Sequence, residues 1–207
     1  MQSFFKSTWF KCIAVLLAIS VIAGGLLAVL NDVLYVDPED RTGRAFNKIY
    51  GTTISQNRYD VVIDVDGSDT TKNTPYSCVI EQQEIGVVEK LFIVDKENDA
   101  DTTYDMVFKT KGYQGYKGGW ISTWVKVEIN GSVKAITKVI IDGYEKQTLM
   151  SKLGDAFLSK FNKDITQDLL FSSNTKTGNN VVAGATKSAN AGCNAVNCAL
   201  IYLEANA

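Results

Sequence analysis

The chain has 207 residues and a formal net charge of -2, with 21 Lys and Arg against 23 Asp and Glu. Hydrophobic residues make up 45% of it, which is enough apolar material for the core of one domain. The balanced charge and the lack of a dense basic run argue against nucleic acid as a partner. Histidine is absent, which excludes Ser-His-Asp and Cys-His catalysis and His-ligated zinc. Chemistry near neutral pH would therefore draw on a bound cofactor.

An uncharged apolar run extends from Cys12 to Leu30 and is long enough to cross a hydrocarbon core of about 30 Å. Lys6 and Lys11 precede the run and an acidic segment follows it, so the positive-inside rule predicts a cytoplasmic N-terminus and an extracytoplasmic remainder. The competing interpretation is a cleaved signal peptide. Because the run exceeds a usual signal core and no clear A-x-A site ends it, we assign residues 1–34 to an uncleaved single-pass anchor in the cell membrane.

A short helix is predicted after the anchor. Asp37 is suited to cap it, Pro38 to occupy its first position and Gly51 to end it. One face of this helix is apolar and consists of Ala45, Phe46, Ile49 and Tyr50. We therefore assign residues 35–57 to a linker helix and residues 58–207 to an extracytoplasmic domain.

The domain begins with strand-like segments, which are residues 58–65, 85–95, 104–110, 120–129 and 133–142. The last two flank Asn130 and Gly131, which predicts a two-residue hairpin turn with positive φ at both residues. Four glycines between 112 and 119 predict a turn or a close backbone approach before this hairpin. Helices are predicted at about 148–161 and 188–202, with a loop at 172–180. The pattern predicts an α+β fold in which helices pack on an antiparallel sheet.

A small-residue turn, Ala183-Gly184-Ala185-Thr186, opens the last helix. Hydroxyl groups in this turn would lie beside free backbone N–H groups at the positive end of the helix dipole, where phosphate is the usual anion. An alternative from the same residues is an ordinary N-cap, in which Thr186 or Ser188 caps the helix.

The four cysteines, Cys12, Cys78, Cys193 and Cys198, match no zinc or iron–sulfur spacing. Cys193 and Cys198 are five residues apart in the predicted helix, which places them too far apart to bond each other. We interpret these two as small apolar residues of a packed helix. The aromatic residues Tyr113, Tyr116 and Trp120 either flank a flavin ring or form core and cross-strand pairs.

The order of these features resembles the FMN-binding domain of the G subunit of Rnf-type ion-translocating oxidoreductases. It is also similar to the C subunit of sodium-pumping NADH:quinone oxidoreductase. That family combines an N-terminal membrane anchor, a glycine-rich turn before a β-hairpin, a segment with Glu and Thr, and a Gly-Ala-Thr motif. The corresponding features here are Gly112–Gly119, the hairpin at Asn130-Gly131, Glu145 with Thr148, and Gly184–Thr186. The resemblance runs from Gly112 to Leu203, and residues 51–105 match weakly.

The resemblance implies that Thr186 carries FMN through a phosphoester made by a separate flavin transferase. It adds as cofactor-binding residues Gly184, Ala185, Ser188, Thr148 and Glu145. It also implies an electron-transfer subunit that works with other membrane subunits of a redox complex, with no catalytic residue of its own and no metal.

The chain departs from the family pattern in three places. Asn180 replaces an acid, Ala183 replaces Ser or Thr, and Thr148-Leu149-Met150 replaces Thr-Pro-Gly. One alternative is therefore a flavin-free extracytoplasmic binding or assembly module of the same fold. Another is a free-standing flavin reductase, which would need an electron supply that one membrane helix does not provide.

Overall fold

The computed structural model describes residues 8–34, 38–98, 100–167, 169–173 and 180–206. These residues form two units, which meet in the sequence between Arg41 and Thr42. The predicted N-cap Asp37 and most of the predicted loop 172–180 lie outside the described residues.

The first unit contains one long helix, α1, at Thr8–Leu34. Its stretch Lys11–Leu30 has a mean hydropathy of 2.8, and none of it is buried against protein. Within the described residues this is the one helix that is long and apolar enough to span a membrane. The sequence prediction of such a helix is therefore confirmed.

The second unit is built on an antiparallel sheet, which has seven strands in the described part of the chain. The strands are β1 Tyr59–Asp64, β2 Tyr76–Ile80, β3 Gln83–Val94, β4 Thr103–Gly112, β5 Ile121–Asn130, β6 Val133–Tyr144 and β7 Lys163–Asp164. Their order is β1-β3-β4-β5-β6-β7, and β2 also pairs with β3. The five predicted strands and the α+β class are confirmed. β2 and β7 were not predicted, because five and two residues are too short for a clear alternation.

A long helix packs on each face of the sheet. On one face, Leu91, Phe108 and Val125 share a core with helix α4 at Thr186–Ala205. On the other face, their neighbours Phe92, Val107 and Trp124 share a core with helix α2 at Pro38–Tyr50. The Phe46 ring of α2 lies 5.3 Å from Phe92 and 6.4 Å from Trp124. From Thr42 onward, the helix predicted as a linker is a packed element of this unit.

Glycines in the sheet allow α4 to lie directly on it. Gly86 of β3 pairs with Gly112 of β4. A Cβ on Gly112 would collide with the backbone of Ala191 and Ala195, and one on Gly86 would lie 2.8 Å from the Cys198 sulfur. The close backbone approach predicted for Gly112 is confirmed.

The hairpin is present, but its turn is one residue later than predicted. Asn130 ends β5 and pairs with Val133, so the two-residue loop is Gly131-Ser132. Gly131 has φ +60°, whereas Asn130 and Ser132 do not have positive φ. The prediction of positive φ at both Asn130 and Gly131 is wrong because Asn130 stays in the ladder and also pairs with Thr103 of β4. Glycine at the first central position is typical of a type II′ turn.

The continuous helix predicted at 148–161 is also wrong. The segment consists of a 3-10 turn at Met150–Lys152, a one-turn helix α3 at Asp155–Leu158 and a 3-10 turn at Ser159–Phe161. Gly154 interrupts it with extended backbone, and Leu149 before it is left-handed and exposed. Phe157 and Phe161 are still buried as the apolar pattern requires. The last predicted helix is confirmed as α4, which begins two residues earlier and ends later than predicted.

Candidate functional site

Three segments that are distant in the sequence meet at the side chain of Gln147, which is buried. Its Oε1 accepts hydrogen bonds from the backbone N–H of Tyr116 and from the hydroxyl of Ser188, both at 2.9 Å. Its Nε2 donates to the carbonyl of Glu145 at 2.8 Å. Gln147 thus joins the glycine turn before β5, the segment after β6 and the first turn of α4.

The glycine turn is shaped by this glutamine. Gly115 N–H donates to the carbonyl of Gly119 at 2.9 Å, which closes the turn. A Cβ on Gly115 would lie 2.6 Å from Gln147 Nε2, and one on Gly119 would lie 2.5 Å from it. Glycine at both positions therefore leaves the space that the Gln147 amide occupies.

Helix α4 begins without a side-chain cap. Ala185 is the N-cap residue and no side-chain hydrogen bond caps the helix. Thr186 is the first helical residue, and its half-buried hydroxyl makes a long bond of 3.5 Å to the carbonyl of Val182. The Ser188 hydroxyl is directed to Gln147 instead. The alternative of an ordinary N-cap formed by Thr186 or Ser188 is therefore wrong, and the first turn keeps its positive end without compensation from these hydroxyls.

Two lysines contact the turn that precedes Thr186. Lys152 Nζ donates to the carbonyl of Ala183 at 3.0 Å, and Lys160 Nζ donates to the carbonyl of Val181 at 3.4 Å. Gly184 in this turn has φ +76°, which a residue with a side chain adopts only with strain. Two ammonium groups and a helix N-terminus thus lie around one short turn, an arrangement that favours an anion.

Glu145 and Thr148 are both exposed. The Glu145 carboxylate accepts from Trp120 Nε1 at 2.6 Å and pairs with Lys146 Nζ at 3.0 Å. These hydrogen bonds, that of Lys146 first, hold the pKa of Glu145 below its usual value. Thr148 contacts α4 through its carbonyl, which accepts from the Ser188 hydroxyl at 3.3 Å. The segment that contains Glu145 and Thr148 therefore contacts α4, whereas the Glu145 side chain is hydrogen-bonded to Trp120.

The predicted aromatic residues lie at this end of the sheet. Tyr116 is exposed, and the ammonium of Lys117 lies 5.6 Å from the centre of its ring. The ammonium of Lys111 lies 4.7 Å from the Trp120 ring. Tyr113 is half-buried, and burial raises its pKa. These contacts are compatible with either interpretation of the aromatic residues.

Asn180 is fully buried ahead of the turn. In the part of the chain that the structure describes, neither the nitrogen nor the oxygen of its side-chain amide has a hydrogen-bond partner. A buried polar group without a partner costs about 1–3 kcal/mol. The amide therefore offers a donor and an acceptor six residues before Thr186.

Sequence reasoning missed Gln147, Lys152 and Lys160. Polar residues in a loop pattern are usually solvent-exposed, so nothing in the local pattern marks Gln147 as buried. The paired glycines Gly115 and Gly119 were the available signal, because such a turn leaves space for a side chain from another segment. The two lysines reach the turn through the broken segment that was predicted as a continuous helix.

Comparison of the chain with protein-family models, with curated proteins and with solved structures finds no match. Among the described residues, no group of three or more His, Cys, Asp or Glu side chains is arranged to hold a metal ion. The features that bear on function are therefore the sequence pattern and the geometry around Gln147 and Thr186.

Proposed function

We propose that this chain is a membrane-anchored flavoprotein that carries FMN covalently on Thr186. It acts as an electron-transfer subunit of an ion-translocating oxidoreductase complex, with other membrane subunits and a flavin transferase as partners. The observation that carries the proposal is the meeting of three segments at Gln147. These segments are the ones that the family resemblance selects from the sequence, although they are far apart along the chain.

The residues around Thr186 fit a phosphoester. The Thr186 hydroxyl is held by one long hydrogen bond and is half-buried, so it remains available for modification. Lys152 and Lys160 place ammonium groups at the carbonyls of the preceding turn. These charges and the uncapped start of α4 stabilise the negative charge that a phosphodiester retains.

The chain itself supplies attachment and position. Thr186 Oγ1 is the atom of attachment, and Gln147 holds the first turn of α4 against the glycine turn. When bound, FMN supplies one- or two-electron transfer. Electron transfer by a bound flavin needs no general base, so the absence of histidine is compatible with this role. Covalent attachment keeps the cofactor at a site that is open to solvent.

The proposed location follows from α1 and the charges beside it. α1 anchors the chain in the cell membrane, Lys6 and Lys11 remain in the cytoplasm, and the second unit lies outside. The lipid bilayer is therefore a partner of residues 1–34.

In-gel ultraviolet fluorescence of the denatured full chain tests the attachment, because a covalent flavin survives denaturation. The chain is produced together with its native flavin transferase and taken from membranes. The wild type and Thr186→Ser, which keeps a hydroxyl, are expected to fluoresce. Thr186→Val is expected to be dark. Thr103→Val, which changes an exposed threonine at the start of β4 in the same way, is the matched control and is expected to fluoresce.

A dark wild type, or a fluorescent Thr186→Val, contradicts the proposal. The flavin-free binding or assembly module would then be the better account. Asn180 and Ala183, which depart from the family pattern, would be the first positions to examine.

A further inference from the structure

Two buried sulfur atoms meet between β2 and α4. Cys78 of β2 and Cys198 of α4 are both fully buried free thiols. The Cys78 thiol lies 3.6 Å from the carbonyl oxygen of Cys198. Burial, and after it the nearby Cys78 side chain, raises the pKa of Cys198. The residues are separated by 120 positions in the sequence, so this contact depends on the docking of α4.

The sheet leaves a specific space for this pair. Cys78 is paired with Gly86 on the neighbouring strand, and Gly86 is paired with Gly112 on the next. α4 crosses this row, with Ala195 against Gly112 and the Cys198 sulfur against Gly86. Because Gly86 has no side chain, the Cys198 sulfur occupies the space above it, and Cys78 is the residue opposite Gly86 on the next strand. Residues opposite each other in an antiparallel pair have Cβ atoms about 5 Å apart, so the Cys198 sulfur and the Cys78 side chain share one buried space.

We propose that Cys78 and Cys198 form a disulfide that joins β2 to α4 in the mature protein. The inference rests on the extracytoplasmic placement in the proposed function, since disulfides persist in oxidising compartments outside the cytoplasm. Cys193 is also buried in α4, but its five-residue separation from Cys198 in one helix prevents their pairing.

The oxidant is a disulfide-bearing protein or small molecule of that compartment. Two S–H bonds of the chain are lost and one S–S bond forms between Cys78 and Cys198. The two electrons and two protons pass to the oxidant, whose own S–S bond breaks to give two thiols. Because both sulfurs are inaccessible in the fold, the oxidant first forms a mixed disulfide with one cysteine before α4 docks. Docking then brings the second thiol to the mixed disulfide, where it displaces the remaining thiol of the oxidant.

A non-reducing tryptic digest of the full chain from membranes tests the disulfide. Free thiols are first blocked by alkylation under denaturing conditions. Cleavage after lysine gives residues 73–90 with Cys78, residues 177–187 with Thr186, and residues 188–207 with Cys193 and Cys198. The expected result is that 73–90 is linked to 188–207, with Cys193 alkylated. Reduction of the digest is expected to separate the two peptides. Reduction of the intact chain is expected to lower its thermal unfolding midpoint by roughly 10 °C.

Variants identify the bonded sulfur. Cys193→Ala is expected to keep the linked peptide, while Cys198→Ala is expected to lose it. Separate peptides with Cys78 and Cys198 both alkylated in the wild type overturn the proposal, as does a link through Cys193. The flavin is read from a different peptide, 177–187, so a missing disulfide and a missing FMN are distinguished in one digest.

Discussion

Gln147 is the residue on which the candidate site depends. Its amide makes bonds to three segments, and its two nearest turn glycines have no room for a side chain. The candidate residues Thr186 and Ser188 were proposed from the turn of small residues and hydroxyls that opens the last helix, and Glu145 from the family resemblance. Gln147 was not, because its burial depends on contacts between segments and not on its neighbours in the chain.

Replacing Gln147 with leucine removes the acceptor of Tyr116 N–H and Ser188 Oγ–H while keeping a similar volume. We expect the free energy of unfolding to fall by about 1–3 kcal/mol, because the Tyr116 N–H loses its acceptor and the Ser188 hydroxyl keeps only its longer bond to the Thr148 carbonyl. The Tyr116 amide should also exchange its hydrogen faster. Ser188→Ala, which removes the hydroxyl and leaves Gln147 bonded to Tyr116, is the control and should cost about 1 kcal/mol. Urea unfolding and hydrogen exchange of the full chain in detergent measure these effects. Equal stability of Gln147→Leu and the wild type would remove Gln147 from its central role.

Cys193 should be unreactive in the folded protein. Burial raises the pKa of its thiol to about 12, so the reactive thiolate is absent at pH 7.5–9.5. In the unfolded chain the pKa of this thiol is about 8.5. As the pH rises from there toward 12, the thiol loses its proton first in the unfolded state, so the free energy of unfolding falls. Alkylation of Cys193 should therefore be much slower in the folded chain than in urea throughout this pH range. In urea it should increase with pH, and equal rates in both states would contradict the burial.

At the scale of elements, the sequence predicted what alternation and helical periodicity can encode. The strands β3 to β6 and the helix α4 are long enough for these patterns to be clear. The segment 148–161 misled because Leu153, Phe157 and Phe161 keep helical spacing across a break at Gly154. Burial of one side of a chain segment is enough to produce such a pattern, whether or not the backbone is continuous helix.

The contact of α4 with the sheet depends on Gly112. A Cβ at this position would collide with the backbone of Ala191 and Ala195, which cannot move aside as a side chain can. We expect Gly112→Ala to lower the free energy of unfolding by about 3 kcal/mol. Gly143→Ala is the matched control in strand β6, where the new Cβ would lie 3.7 Å from the Trp120 ring, an ordinary contact. It should change stability by less than about 1 kcal/mol. Similar losses for both variants would show that α4 does not lie this close.

At the scale of the whole molecule, the apolar face of α2 was visible in the sequence, but the surface that it covers was not. Phe46 and its neighbours predict that one side of the helix is buried. Only the folded sheet shows that this side contacts Phe92 and Trp124, opposite the face that carries α4. The sequence pattern of a helix shows how much of its surface is apolar, but it does not identify the element that packs against that surface.

The orientation of the chain in the membrane is tested by a reporter enzyme that is active only outside the cytoplasm, fused after Ala207. The proposed orientation predicts activity, because lysines ahead of an apolar run favour a cytoplasmic N-terminus. Changing both lysines to aspartate should reduce the activity. Lys48→Asp, which lies in α2 and away from the apolar run, is the control and should not. Activity of a second reporter enzyme that works only in the cytoplasm, fused at the same position, would contradict the orientation. It would also contradict the extracytoplasmic flavin site.

Attachment of FMN to Thr186 would add a fixed mass to the chain, which the intact mass of the full-length protein measures. The chain is isolated after production with its native flavin transferase. The wild type is predicted to exceed the mass of its sequence by one FMN less one water. Thr186→Val removes the hydroxyl, keeps the shape of the side chain and is predicted to have the mass of its own sequence. A wild type without the added mass, or a Thr186→Val chain that retains it, would contradict the account.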